Sequence, residues 1–467
     1  MLEYINNKLI EFEDYIRYRK VAIVGLGISN IPLIEYFYNK KSRVTVFDAR
    51  EKENLPKDIL EKVNNYKMET SFGKDYLSKL NGFDLILRSP SCLPTTPELK
   101  REEDRGAVVV TEIELLMQMC PCKIIGITGS EGKTTTTSLI SAILKKANYK
   151  CFMGGNIGTP LFTKLSEITP NDIVVLELSS FQLMGMEISP DISIITNITP
   201  NHLNVHKDYE EYIEAKKNIF KYQNKDGIVI LNYDNEITKK AAKEAKGKVI
   251  FFSGKEKIDN GYIVDQDYIK ECNDGVRKLL IDVNDIYIKG KHNYENICCA
   301  IAATKSLVDE ETQIKTIKEF PGVEHRLEFV REINKVKWYN DSASTSPTRL
   351  ISALNSFDNI VLIAGGSDKN LDYTPIAKPI LDKVKLLILL KSETSIKIYE
   401  AVKNEEELQN KKIDIHIVNN LKDAVEMANK YATENQNVLL SPASTSFGLF
   451  KDMYDRGRQF KELVNNL

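Results

Sequence analysis

At 467 residues the chain is too long for one hydrophobic core and reads as two to four domains, with three the best fit. Lysine and arginine number 64 against 66 aspartate and glutamate, a formal balance of −2 that gives no general electrostatic reason to expect nucleic acid or a membrane surface as partner, so any basic site must be local. The opening MLEYINNKLIEFEDYIRYRK mixes both signs of charge, and the longest apolar runs, such as LLILL at 386–390, cannot span a bilayer, so a cytoplasmic protein is expected.

From Val21, short apolar runs (VAIVG, VTVFD, DLILRS, AVVVTE) alternate with helical stretches such as IPLIEYF, the pattern of βαβ units and a parallel sheet. This predicts a Rossmann-like first domain over residues 1–111, ending near IELLMQM. Its first turn, GLGISN, keeps Gly25 and Gly27 but has Asn30 where a third glycine would stand, and Asp48 closes the next strand. That pattern fits a nucleotide or sugar nucleotide as well as a nicotinamide cofactor.

A second α/β series begins at CKIIGIT and continues through DIVVLELSS, DISIITNIT, GIVILN and KVIFFSG, predicting a central P-loop ATPase-like, mononucleotide-binding domain over 112–322. Its runs GYIVDQD, VRKLLIDV and DIYIKGKH, around the turn NDG, predict a small antiparallel insert. The break at KEFPGVEHRLE opens a third α/β pattern over 323–467, again Rossmann-like, through IVLIAGG, KLLILLK, IDIHIVN and NVLLSPAS. The seven cysteines match neither a zinc ligand set nor a disulfide framework, and the pair around Pro121 is C-P-C rather than C-x-x-C.

The strongest local signal is GITGSEGKTTTTS at 126–138. A glycine-rich turn between strand and helix offers backbone N–H groups and the positive helix end to phosphate, while a lysine neutralises charge and a hydroxyl reaches magnesium. KIIGIT is the strand, Gly129 and Gly132 frame the turn with Ser130 and Glu131 between them, and Lys133, Thr134 and Thr135 open the helix. Leu139, Ile140, Ile143, Leu144 and Ala147 then fall on one helical face. Ile127 stands where the usual longer motif has its first glycine, so this is the tighter form G-x-x-G-K-T.

Further stretches follow in order: GGNIG, LELSSFQL, NITPNHLNVH, GKHNYENICCA, PGVEHRLE, WYNDSAST, AGGSDKN and LLSPASTSFGLFKDMYDRGRQF. Together with GSEGKTT they resemble the Mur ligases, ATP-dependent amino-acid ligases of peptidoglycan precursor synthesis, over nearly the whole chain. GLGISN, VFDAR, ELSSFQL and the SPAS…FK…RG ending fit the branch that joins D-glutamate to UDP-N-acetylmuramoyl-L-alanine. The resemblance implies that the first domain holds the UDP-sugar, the central one ATP, and the last the amino acid. It also implies an acyl-phosphate intermediate, two Mg²⁺ sites, small-molecule substrates with no nucleic acid or membrane partner, and a monomer.

By the same resemblance, Glu177 and His202 hold magnesium with Thr134, and Asn156 contacts the substrate near the sugar. Asn293, Asn296, His325, Arg326 and Asp341 surround the adenine, ribose and phosphates. Gly27, Ile28, Ser29, Asp48, Arg50 and Ser89 surround uridine and diphosphate, although Asp48 also fits an NAD ribose. Thr345, Lys369 and Ser446 meet D-glutamate. Two departures stand out: Ala343 in NDSAST occupies a position that is lysine in many members, and Met453 occupies an aromatic one. Either Arg349 or Lys451 supplies the missing cation, or the acceptor differs.

In YEEYIEAKKNIF, at about 100° per residue, Tyr209, Tyr212, Ile213, Ile219 and Phe220 share a face with Lys216 near its middle and Lys217 well to its side. An inward lysine loses hydration and exposes a neutral amine that can capture CO₂; the alternative is a lysine that snorkels to solvent. The resemblance implies a carbamylated Lys216 that helps hold magnesium. Rival readings are a ligase for another amino acid, a folylpolyglutamate synthetase, which would lack the UDP-type first domain, and an NAD-dependent oxidoreductase fused to a nucleotide-binding module.

Overall fold

The computed structural model describes residues 4–200, 206–368 and 371–467. Three sheets carry the fold. In the first, five strands lie in the order Glu69–Phe72, Arg43–Asp48, Lys20–Val24, Leu85–Arg88, Val108–Val110, all parallel. Val21, Ala22, Ile23 and Val24 are all fully buried, because helices cover both faces of this sheet. The chain order reverses between Lys20–Val24 and Leu85–Arg88, and the loops after these two strands carry Gly25–Asn30 and Ser89, where open α/β sheets bind ligands.

The second sheet has nine strands, in the order Val276–Asp282, Tyr268–Asn273, Gly261–Asp265, Lys248–Ser253, Ile228–Asn232, Ile192–Ile195, Lys123–Thr128, Ile173–Glu177, Cys151–Gly155. Lys123–Thr128 lies between Ile173–Glu177 and Ile192–Ile195 and is parallel to both. The phosphate loop, Glu177 and the turn after Ile195 therefore leave the sheet at one end. The expected antiparallel insert is no separate body: Gly261–Asp265 pairs in parallel with Lys248–Ser253, and the next two strands extend the edge of the same sheet. Gln266, Asp274 and Gly275 take left-handed backbone in the two-residue connections.

The third sheet runs Glu328–Ile333, Val336–Asn340, Asn437–Leu440, Ile360–Ala364, Val384–Leu390, Asp414–Val418. Its first pair is an antiparallel hairpin and its other pairs are parallel. The sequence reading missed that hairpin, because Asn334 and Lys335 adopt left-handed backbone at its tip without a glycine to mark it. The chain packs as two units, one holding the first two sheets and the other the third sheet with segments 266–269 and 281–294. Among the described residues no helix is long and apolar enough to cross a membrane.

Candidate active site

The strand Lys123–Thr128 ends on Gly129 (φ 149°), and the helix Lys133–Lys146 starts from Gly132 (φ 83°). Both glycines are required by close approach as well as by conformation: a Cβ on Gly129 would strike Thr196, and one on Gly132 would strike the Asn296 amide. Neighbouring loops brace the turn. Ser130 Oγ bonds the backbone of Thr199 and the hydroxyl of Tyr212 at 2.9 Å, and the Glu131 N–H donates to Asn197 Oδ1 at 2.9 Å. Lys133 Nζ donates to the carbonyls of Gly129 and Ser130, so it lies folded across its own loop, with Thr134 and Thr135 half-buried behind it.

Glu177 closes the strand Ile173–Glu177 and is 1% exposed. Its Oε1 accepts from Asn156 Nδ2 at 2.8 Å, while Oε2 is buried with no hydrogen-bond partner among the described residues. An unsatisfied carboxylate oxygen in a protein interior is costly, and a hard cation is what removes that cost. The surroundings suit magnesium, which takes one or two carboxylates and fills its shell with hydroxyl, water and phosphate oxygens. No cluster of three His, Cys, Asp or Glu exists among the described residues to form an all-protein cage. His202 lies outside the described residues.

Lys216, on the helix Tyr209–Lys221, is 2% exposed. Its Nζ donates to the Gly129 carbonyl at 2.9 Å and sits 4.7 Å from the centre of the Tyr212 ring, so the lysine points at the phosphate loop. Burial, reinforced by the positive charge of Lys133 and opposed by Glu177, holds its pKa well below that of an ordinary lysine. Lys217 corrects the helical projection. It is only 9% exposed, its ammonium gripped at 2.6 Å by both Glu214 and Glu244. A helical wheel gives an angle but not which later segment covers it, and here the turn around Glu244 does so.

In the first domain, Asn30 explains the missing third glycine. Its amide is fully buried and donates to the carbonyls of Val24 and Gly25, bracing the loop from inside. Asp48 Oδ2 accepts the Leu26 N–H at 2.7 Å, and both its oxygens are bridged by Arg50. Burial pushes the Asp48 carboxyl up, but these donors outweigh it and leave its pKa below the usual value. That carboxylate is occupied by its own protein, which counts against its serving an NAD ribose. Gly27 and Ile28 are open to solvent, Ile28 at 78%, Ser29 is half-buried, and Ser89 Oγ lies 2.8 Å from Ser91 Oγ.

In the second unit, Asp341 accepts from the Leu327 N–H and from the Ser441 hydroxyl at 2.7 Å, and burial raises its pKa to about 7. Arg326 is exposed. His325 differs from the expectation of a nucleotide-facing ring: it is 1% exposed, its Nδ1 lies 2.8 Å from Asn340 Nδ2, and it packs where Gly457 has no side chain. Arg349 Nη1 donates to the Ala343 carbonyl at 2.9 Å, which puts its guanidinium beside the position that is lysine in many members; Lys451 is exposed, its backbone N–H donating to Asp455. Thr345 is half-buried and Ser446 buried. Lys369 lies outside the described residues.

Arg456 has no role in the sequence reading, yet it is fully buried and ties two loops together by donating to Ser342 and to the Ser444 carbonyl. Its only sequence signal is the string DRGRQF itself. On the central helix, Asn293 donates to the Lys289 carbonyl, and Asn296, one turn on, faces Gly132.

Comparison with known proteins agrees with this architecture. The Mur ligase MurD-like N-terminal domain matches residues 19–111, the Mur ligase middle domain 127–304, and the Mur ligase glutamate ligase domain 325–444. The UDP-N-acetylmuramoylalanine–D-glutamate ligase of Acetivibrio thermocellus is 44% identical over 99% of this chain and 100% of its own length. The Clostridium botulinum protein of the same name (strain Loch Maree) is 44% identical over 98% and 99%. Among solved structures, the UDP-N-acetylmuramate-alanine ligase of Thermotoga maritima covers 96% of this chain and 99% of its own at TM-score 0.56 and 19% identity. MurF ligase from the same organism, in complex with ADP, covers 97% of both at TM-score 0.54 and 16% identity. The chain is a three-domain α/β ligase. It belongs to the Mur ligase family, whose members form amide bonds with ATP.

Proposed function

We propose that the chain joins D-glutamate to the carboxylate of UDP-N-acetylmuramoyl-L-alanine, with ATP converted to ADP and phosphate. The substrates rest on the full-length relatives that carry that name. One observation carries the chemistry: Lys216 turns inward onto the phosphate loop, and Glu177, with an oxygen unpartnered among the described residues, ends the strand beside the one that leads into that loop. A carboxylate does not yield to an amine until its oxygen becomes a leaving group, so its oxygen attacks the γ-phosphoryl group, releasing ADP and leaving an acyl phosphate. The D-glutamate amine then adds to that carbonyl and expels phosphate. Lys133 neutralises charge gathering on the transferred group, and the loop N–H groups hold the phosphates in line. Magnesium, when bound, supplies charge neutralisation across the phosphates.

In this reading Thr134, Glu177 and His202 hold metal, and Lys216 joins them as a carbamate formed when its neutral amine adds CO₂ and releases a proton. Gly129 to Thr135 with Asn293, Asn296, His325, Arg326 and Asp341 serve ATP. Gly27, Ile28, Ser29, Asp48, Arg50, Ser89 and Asn156 serve the UDP-sugar, and Thr345, Lys369 and Ser446 the acceptor, with Arg349 in place of the lysine absent at Ala343. Residues 1–111, 112–322 and 323–467 divide these tasks. The test is phosphate release with ATP, Mg²⁺, the UDP-sugar and a panel of L and D amino acids. D-Glutamate should exceed L-glutamate by orders of magnitude, because a site that orients the amine rejects its mirror image. Equal rates, or nicotinamide binding without phosphate release, would overturn the reading.

A further inference from the structure

We propose that His206 is a positioning residue for this chemistry: its ring joins the turn that carries Glu177 to the helix that carries Lys216, and so sets the spacing of the metal-holding end of the site. The inference rests on the roles proposed above for those two groups.

His206 is 3% exposed and lies just before the helix Tyr209–Lys221. Its Nε2 is 2.9 Å from Ser180 Oγ, and Ser180 opens the short helix three residues after Glu177. Its Nδ1 is 3.3 Å from Glu211 Oε2. An ionised carboxylate only accepts, so Nδ1 carries the proton toward Glu211, and in the neutral ring Nε2 accepts from the Ser180 hydroxyl. Glu211 is itself fixed by the Lys207 N–H at 2.8 Å. The ring also makes two aromatic contacts. It stacks on Phe181, with centroids 5.0 Å apart and planes 8° from parallel, and meets Tyr212 edge-to-face at 5.3 Å.

Tyr212 closes the circuit, since its hydroxyl bonds Ser130 in the phosphate loop and its ring lies against the Lys216 ammonium. Three elements that must present groups to one cation and one phosphate chain are thus referred to a single imidazole. Glu177 ends a strand and Lys216 sits mid-helix, so neither backbone fixes the distance between them. Groups that orient metal-holding side chains typically affect metal affinity or activity about 10- to 100-fold when changed.

The experiment uses the full chain as His206→Phe, His206→Gln and Ser180→Ala. Phenylalanine keeps the aromatic packing but cannot accept from Ser180, whereas the glutamine amide oxygen can stand in for Nε2. Ser180→Ala removes one oxygen and leaves the packing intact. Mn²⁺ binding to the ADP complex is read by electron paramagnetic resonance, alongside kcat and the KM of the UDP-sugar. The phenylalanine variant should bind Mn²⁺ about tenfold more weakly and lose about tenfold in kcat, with the UDP-sugar KM unchanged. Glutamine should restore most of both, and Ser180→Ala should match phenylalanine. The inference is overturned if His206→Phe or Ser180→Ala binds Mn²⁺ like the unaltered chain, if glutamine is no better than phenylalanine, or if the UDP-sugar KM rises in step with the loss of kcat. An unaltered chain without ligase activity would remove the proposed function instead, and the Mn²⁺ measurement would still decide the role of His206.

Discussion

The loops Gly25–Asn30 and Gly129–Thr134 are both glycine turns between a parallel strand and a helix, yet the carboxylates beside them, Asp48 and Glu177, are disposed in opposite ways. Around the first, Asn30 spends its amide on the loop carbonyls and Asp48 spends both oxygens on Leu26 and Arg50. Around the second, Glu177 keeps an oxygen without a partner, and two lysines sit close enough for one to depress the pKa of the other. A loop whose neighbouring carboxylate is already paired is a preformed surface that recognises a ligand. A loop left short of its partners stores free energy that substrate and metal release on arrival, which is the condition for acting on a ligand.

The most severe way to break this contrast is Lys133→Ala. It should lower turnover on the order of a thousandfold or more while UDP-sugar binding, measured by calorimetry, stays near its original strength; ordinary turnover would place the chemistry elsewhere. Next, Lys216→Ala should lose on the order of a hundredfold and recover part of it when a short carboxylic acid is added to the assay. Lys217→Ala, which cuts only the ties to Glu214 and Glu244, should stay active. Equal loss at both positions, or no rescue by small carboxylates, would count against a carbamate.

A milder change sharpens the other side of the contrast. Asp48→Asn loosens Arg50 in a loop that only recognises, so the UDP-sugar KM should rise about tenfold, or about 1.4 kcal/mol, at unchanged kcat. A fall in kcat at constant KM would contradict the division of labour. A last effect concerns stability rather than rate. Glu112, buried and held by the Phe162 N–H without a cationic partner, has its pKa raised by burial from 4.5 to about 7. Below pH 4.5 both folded and unfolded chains keep that proton. Between 4.5 and 7 only the unfolded chain releases it, so stability falls as pH rises, by up to about 3 kcal/mol. Glu112→Gln should flatten that decline in melting temperature across the same window.

What the sequence makes legible follows from how local each signal is. Gly-Lys-Thr at a helix start announces the phosphate loop because glycine freedom, lysine charge and threonine hydroxyl act within one turn, and the inward angle of Lys216 is likewise a property of one helix. His206 and Arg456 remain opaque because they work across tens to more than a hundred positions, and Asn30 because its partners, though only five and six positions away, are backbone carbonyls with no sequence signature. Arg456, for instance, reaches Ser342, 114 positions away. The burial of Lys217 fails for the same reason, since Glu244 arrives from a later turn. The hairpin at Asn334 and Lys335 is hidden differently: Asn334 suits left-handed backbone, but Lys335 takes the second left-handed position where a glycine would have marked the turn.

The third sheet also has a timetable. Its strand Asn437–Leu440 lies between Val336–Asn340 and Ile360–Ala364 and pairs with both, and Asn340 is matched to Leu440 a hundred positions later. During synthesis at about 5–20 residues per second, the earlier strands wait about 5–20 s for the strand that joins them, and longer for Arg456 to lock the neighbouring loops. Over that interval the phosphate loop and its sheet are already made. A nascent chain therefore carries its phosphate loop, at 129–134, long before the third sheet can close, and the neighbouring loops at Ser342 and Ser444 stay untied until Arg456 has been made.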